Sequence, residues 1–240
     1  WVPFPGAAAG IASVEADTTP TLGGDLDPDG NSIGARNYYV STEAEWEAAL
    51  TAMGDGVGVA GQTGGTINLV GSIVDITDGV TLCGATAGTE GRNGVKIVGR
   101  GPGLPGNSDG QNNGATIVRW VGANGGDLLS AGACNSLELS NVVLQGRSCV
   151  DANLDDLCDS DGVTAMTQAA NLIQVLNTSG GPLKLNLHNS VLTGAGDYSI
   201  KGNTSGQWDD STIENTVFYD NNGNIHFASF QSAGMTLGPN

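Results

Sequence analysis

Positive charge is scarce in this chain. Its 240 residues hold 8 Lys and Arg against 25 Asp and Glu, a formal net charge of −17. A surface of that sign repels phosphate backbones and anionic headgroups, which argues against nucleic acid and against membrane insertion. No apolar run approaches the roughly 20 residues of a spanning helix. Aromatic residues are 5% of the chain and prolines number 8, so large aromatic clusters cannot dominate the core. Only two histidines occur, His188 and His226, too far apart in sequence to form a local metal-ligating pair. The first residue is Trp rather than Met, and no charged, apolar leader follows. The chain is therefore expected to begin after processing or after an omitted region.

Glycine, by contrast, is plentiful, with 39 residues. Among the glycines one pattern is written three times: Leu139-Ser140-Asn141-Val142-Val143-Leu144, Leu187-His188-Asn189-Ser190-Val191-Leu192 and Ile213-Glu214-Asn215-Thr216-Val217-Phe218. The second and third copies are 26 residues apart (213 minus 187), the first and second 48 (187 minus 139). The longer gap is one period plus an insertion. An apolar run bent at an Asn, recurring at such a period, is what a coil needs when each turn of chain stacks on the one before. The ladder Asn141, Asn189, Asn215 is then predicted at one corner, with amides bonding along the stack. A second series, Ile173, Ile200 and Ile225, keeps step with it on another face. A sandwich of Val- and Leu-rich strands is the competing explanation.

Shorter β-branched runs bounded by Gly or Asp-Gly precede the motif: residues 66–70, 73–76, 80–83, 96–98 and 116–120. Ahead of them Thr42-Glu43-Ala44-Glu45 is a capping box, and Trp46, Ala49, Leu50 and Met53 follow at i, i+3, i+4 and i+7. One helix, residues 42–53, is predicted to cover the apolar N-terminal end of the stack. Together these features resemble the right-handed parallel β-helix of the pectate-lyase-like superfamily, over about residues 36–230. The resemblance implies an all-β fold: a single-stranded right-handed parallel β-helix, residues 36–240, with an N-terminal capping α-helix. That scaffold carries lyases, hydrolases, adhesins and viral spikes alike.

Residues 1–35 are of another kind and are expected to form an extended N-terminal arm. Trp1, Phe4, Ile11, Val14, Leu22 and Leu26 have no helical or strand period, so the arm cannot bury them within itself. Trp1 and Phe4 are expected to dock outside the arm, on a neighbouring subunit or on an omitted part of the polypeptide; the former makes other copies of the chain the first partners, a trimer among the open states. Within the arm, residues 19–33 (TPTLGGDLDPDGNSI) resemble a short motif of bacteriophage tail-fibre and other structural proteins.

The insertion in the 48-residue gap forms an acidic loop, residues 147–165. Asp151, Asn153 and Asp155 match positions 1, 3 and 5 of a calcium loop, and Asp159 and Asp161 add oxygens beyond Cys158. The arrangement resembles the Asp-rich calcium repeats of secreted proteins. It departs from an EF-hand, because Asp156 stands where Gly belongs. A structural Ca²⁺ and a solvated acidic loop are both open readings. Cys149 and Cys158 could close the same loop as a disulfide. Cys83 and Cys134, isolated in strands or turns, are expected to be free and buried.

No constellation in the sequence singles out a catalytic centre. Asp197, Asp209, Asp210, Glu214 and Asp220 are carboxylates on late coils, with Lys184 and Lys201 as candidate bases. Residues 196–201 (GDYSIK) faintly resemble a polygalacturonase segment, but the paired Asp, Gly-His-Gly and Arg-Ile-Lys of that family are missing around it. The leading expectation is a non-enzymatic structural or receptor-binding component of a phage virion, of tail-fibre, tail-spike or head-decoration type, meeting other virion proteins or a cell-surface polysaccharide. The alternatives are a secreted bacterial surface adhesin or self-assembling extracellular fibre subunit, and a polysaccharide lyase or hydrolase. The corresponding locations are a virion or the cell surface.

Overall fold

A computed structural model of the chain describes residues 36–53, 64–83, 94–101, 115–131, 136–150, 153, 155, 157–175, 184–202, 211–227 and 235–237. All belong to the unit Ala35–Asn240. Trp1, Phe4 and the rest of the arm expected over residues 1–35 lie outside the described structure, apart from the backbone of Arg36 that follows it.

The described chain enters on β1 (Arg36–Val40) and α1 (Glu43–Met53), then repeats one circuit of three strands. The first circuit is β2 (Gly64–Leu69), β3 (Ile73–Ile76) and β4 (Val80–Cys83). The second is β5 (Gly94–Val98), β6 (Thr116–Trp120) and β7 (Asp127–Ala131). Then come β8 (Ser136–Ser140), β9 (Val142–Gln145) and β10 (Asn171–Val175), followed by β11 (Lys184–His188), β12 (Val191–Thr193) and β13 (Tyr198–Gly202). The last circuit is β14 (Ser211–Glu214), β15 (Val217–Tyr219) and β16 (Gly223–Phe227), with β17 (Met235–Leu237) after it. Among the described residues this gives three sheets, β1-β2-β5-β8-β11-β14-β17, β3-β6-β9-β12-β15 and β4-β7-β10-β13-β16. Each strand pairs in parallel with the strand one circuit away, and no sheet closes on itself. Stacked parallel sheets of this kind are compatible with a parallel β-helix.

The register explains why the sequence repeats. In the first sheet Ile67, Ile97, Leu139, Leu187 and Ile213 pair in one continuous row, and all are fully buried. Alternation does the sorting, because Thr66, Asn68, Lys96, Glu138 and Asn186 fall on the opposite, outward face. In the third sheet Leu129, Ile173, Ile200 and Ile225 form the equivalent inner row. Each fully buried aliphatic side chain contributes about 1.5–3 kcal/mol, so a row of them outweighs any single corner.

The second sheet carries an apolar row on each face. Val74, Val118, Leu144 and Leu192 face the main core with Phe218, whereas the row Ile73, Ile117, Val143, Val191 and Val217 points the other way. Ile117, Val143 and Val191, with Ala115, make a separate buried cluster against Ile73. The Val and the large apolar residue that end each motif therefore serve opposite faces. Along this outer row Val217 is 52% exposed, which marks the end of the ladder.

Helix α1 closes the other end. Glu45 N–H donates to Thr42 Oγ1 at 3.2 Å, and the Glu45 carboxylate accepts from the backbone N–H of Ser41 (2.7 Å) and Thr42 (3.2 Å), a complete capping box. The Ser41 hydroxyl, also donating to Glu45, is the largest cause of a pKa held below the ordinary carboxylate value. Trp46, Ala49, Leu50 and Met53 are buried in the main core, and the helix packs on β1 to β4. The Glu43 carboxylate ties it to the β3–β4 turn, accepting from the N–H of Thr77 (2.9 Å) and Asp78 (3.2 Å) and from the Thr77 hydroxyl.

Candidate functional site

The corner between the first and second sheets is built from asparagine. Asn141, Asn189 and Asn215 adopt φ of 57°, 47° and 47°, the left-handed region that Asn tolerates better than other non-glycine residues. That single residue turns the chain from one sheet to the next without breaking register. Backbone bonds continue through it: Asn141 N–H donates to His188 O and Asn189 N–H to Glu214 O, both at 3.2 Å. Asn215 Nδ2 donates to Asn189 Oδ1 at 3.3 Å, one rung of an amide ladder. The hydroxyls that follow, Ser190 and Thr216, donate to the carbonyls two residues back at 2.8 and 2.9 Å. One circuit earlier Gly99 takes this place, and a Cβ there would lie 2.1 Å from Asn141 O. Glycine is required at that rung by close approach.

The insertion leaves β9 after Gln145 and rejoins at Asn171. Its two limbs are tied by bridges Arg147↔Gln168 and Leu157↔Ala165, by Ser148 N–H to Thr167 O at 3.0 Å, and by Cys158 N–H to Thr164 O at 2.8 Å. Cys149 and Cys158 are disulfide-bonded, with Cα atoms 5.5 Å apart. Asp151 lies outside the described residues, as do Cys134 and the Cys83 side chain.

The other acidic positions of the loop are engaged locally. Asn153 Nδ2 donates to Asp155 Oδ2 at 3.1 Å, Asn153 Oδ1 accepts Asp155 N–H, and Asp155 Oδ1 accepts Leu157 N–H at 3.0 Å. Asp159 N–H donates to Val150 O. Asp161 accepts from the Thr164 hydroxyl and from the N–H groups of Thr164 (2.9 Å) and Val163 (3.0 Å). Those bonds, the Thr164 hydroxyl foremost, lower its pKa to about 2. Asn153 and Asp155 are thus brought together. Among the described residues no three His, Cys, Asp or Glu side chains converge as a metal site.

The described carboxylates considered for catalysis stand on different sheets, each beside its own basic side chain. Asp197, ahead of β13, lies 3.6 Å from Lys201 Nζ; Glu214, ending β14, lies 3.6 Å from His188 Nδ1; and Asp220, after β15, lies 2.6 Å from Arg147 Nη1. Lys184 is exposed at the start of β11, and Asp209 and Asp210 lie outside the described residues.

A groove of about 630 Å³ runs beside the insertion. The turn between β6 and β7 supplies Asn124 and Gly125, the returning limb of the insertion supplies Met166 and Gln168, and the turn into β13 supplies Gly196 and Asp197. Between β13 and β16 the Tyr198 and His226 rings stack with centroids 4.7 Å apart and planes 28° from parallel. Sequence reasoning singled out Asp197 but missed this groove, because its walls come from three circuits and share no local pattern. The only available signal was the length of the insertion. Compared with known proteins, the chain matches no family model, no curated protein and no solved structure.

Proposed function

We propose that this chain is a non-enzymatic structural and receptor-binding component of a phage particle, of tail-fibre, tail-spike or head-decoration type. Its body is a right-handed parallel β-helix, and residues 1–35 attach it to other copies or to other particle proteins through Trp1 and Phe4. The observation that carries the reading is the stack of parallel sheets with continuous inner rows and a hydrogen-bonded Asn corner, a rigid body in which each circuit supports the next. The tail-fibre-like residues 19–33 select the particle among the uses of such a body. The net charge of −17 disfavours a nucleic acid partner, and no helix among the described residues is long and apolar enough to cross a membrane. Mass spectrometry and immunogold labelling of purified particles test the reading; absence of the chain from particles overturns it.

One observation favours a second reading. The Cys149–Cys158 disulfide suits an oxidising compartment and hence a secreted bacterial surface protein that adheres or self-associates. Surface labelling of producing cells without particles distinguishes it. In either reading Ca²⁺ has a structural purpose, with Asp151, Asn153 and Asp155 as donors and Asp159 or Asp161 beside them. Chelator then lowers the melting temperature and added Ca²⁺ restores it; an unchanged melt sinks the ion.

A further inference from the structure

We propose that the Asn222–Gly223 step, where the chain turns into β16, is a site of spontaneous covalent modification at which the asparagine converts in water to aspartate and isoaspartate. The chemistry makes three demands on the chain: a carboxamide free to swing toward the next backbone nitrogen, no side chain shielding that nitrogen, and access for water. Glycine meets the second demand, because it has no Cβ and moves freely in φ and ψ. Asn–Gly occurs at Asn93, Asn113, Asn124 and Asn222, of which Asn93 and Asn113 lie outside the described residues.

Asn124 and Asn222 are both exposed, so access does not separate them. Hydrogen bonding does. Asn124 Oδ1 accepts Gln168 N–H at 2.7 Å, and the next nitrogen, Gly125 N–H, donates to Gln168 O at 2.9 Å. Carboxamide and nitrogen are thus held apart on one residue of the insertion, and both bonds must break before they meet. At Asn222 the backbone N–H donates to Ala195 O at 3.0 Å, whereas among the described residues nothing bonds the carboxamide. The neighbouring Asn221 amide spans the turn instead, accepting Ala195 N–H and donating to Leu192 O, both at 2.9 Å.

The glycine itself is fixed by packing. A Cβ on Gly223 would lie 2.5 Å from Tyr198 Cδ1 and 3.0 Å from Asp197 O, and the Tyr198 ring is already stacked on His226. The unshielded nitrogen is therefore kept by a neighbouring circuit, while the residue before it carries a side chain that no described contact uses.

In the first step the Gly223 nitrogen bonds to Asn222 Cγ, the Cγ–Nδ2 bond breaks, and the Gly223 amide proton leaves with Nδ2 as ammonia. Water then adds to one carbonyl of the cyclic imide. Breaking the new Cγ–N bond gives aspartate, and breaking the original backbone C–N bond gives isoaspartate; nothing is oxidised or reduced. Either product adds a carboxylate to a chain of net charge −17. Isoaspartate also routes the main chain through Cβ and Cγ, which lengthens it just ahead of Gly223. Because β16 is the edge strand of the third sheet and pairs only with β13 among the described residues, its register of Gly223 on Tyr198 is what slackens.

The test ages the full folded chain in mildly alkaline buffer beside the same chain unfolded in guanidinium chloride, and reads both steps by peptide mapping with isoaspartyl methyltransferase labelling. Unfolded, the two steps should convert at similar rates, since the dipeptide is the same. Folded, Asn222 should outpace Asn124 by about ten-fold or more, the scale on which two extra hydrogen bonds raise a barrier. Asn222→Ser should remove the label from its own peptide without moving the melting temperature, because the side chain it replaces is exposed. Hydrogen exchange in β16 should be faster in the aged parent than in the fresh one and unchanged in aged Asn222→Ser. Asn222 staying intact while the unfolded sample converts, or Asn124 converting as fast as Asn222 in the folded chain, overturns the site. An aged, converted chain whose β16 exchanges as the fresh one does overturns the slackening.

Discussion

Replacing Trp46 by Ala isolates the contribution of the helix that closes the stack. The ring is fully buried and lies in the main core, on a helix that packs on the first strands, β1 to β4. Removing a buried Trp side chain costs about 3–5 kcal/mol, because the lost transfer free energy is joined by a cavity that a covered end cannot fully collapse. For a chain of this size each kcal/mol moves the melting temperature by about 2–4 °C, so a fall of roughly 6–20 °C is expected. The distribution of that loss is the sharper result. In a stacked repeat each turn leans on its neighbours, so an uncovered end frays from that end inward. Hydrogen exchange should therefore rise first in β1 to β4 and stay close to the parent in β11 to β13. A loss under about 1 kcal/mol, or a uniform rise in exchange across all circuits, would refute the cap. A comparison at the other end sets the scale: Val217→Ala, at a side chain 52% exposed, should cost well under 1 kcal/mol.

Further outcomes follow from the corner and the insertion. Asn215→Ala should destabilise by about 1–2 kcal/mol in urea unfolding, since Ala resists the left-handed φ, and Asn215→Gly should lose markedly less. Reducing the disulfide, or replacing Cys149 and Cys158 by Ser, removes a constraint worth about 2–3 kcal/mol in the chain-entropy model; the insertion should become protease-sensitive while the β-sheet circular dichroism stays intact. Asp161 has its pKa lowered to about 2, so its contribution is present above the ordinary carboxylate value of 3.8 and is lost as pH falls from there through about 2. The Thr164 amide resonance should report that titration, and Asp161→Asn should abolish it.

The parts of this structure that were legible in the sequence are those that repeat. A Leu or Ile two places before each Asn, and a large apolar residue three places after, fix two inner rows because stacking puts like on like. The capping box and the i, i+3, i+4, i+7 spacing located α1 for the same reason, since both are local and periodic. What could not be read is what depends on contacts between circuits without a period. Glu43 holding the Thr77 turn joins residues whose separation obeys no rule, and at the rungs of Gly99 against Asn141 and Gly223 against Tyr198 the residue type changes from one circuit to the next. The outward apolar row of the second sheet was also concealed, because a Val beside a Leu reads as one hydrophobic run although strand alternation sends them to opposite faces.

The Asn corner has a consequence for how this protein can change over generations. Because the corner, the hydroxyl brace and the inner rows of the first two sheets recur with the 26-residue spacing between Asn189 and Asn215, duplicating one such unit in the gene would preserve those ladders and lengthen the stack by about one strand spacing, 4.8 Å. Shifting a strand by one residue does the opposite, turning its buried side chains out to water. Inheritance should accordingly tolerate whole units and corner insertions and purge small frame slips within strands. The segment between β9 and β10 has the form of such a tolerated insertion: it lengthens one circuit, yet leaves Leu144 paired with Leu192 and Ile173 with Ile200.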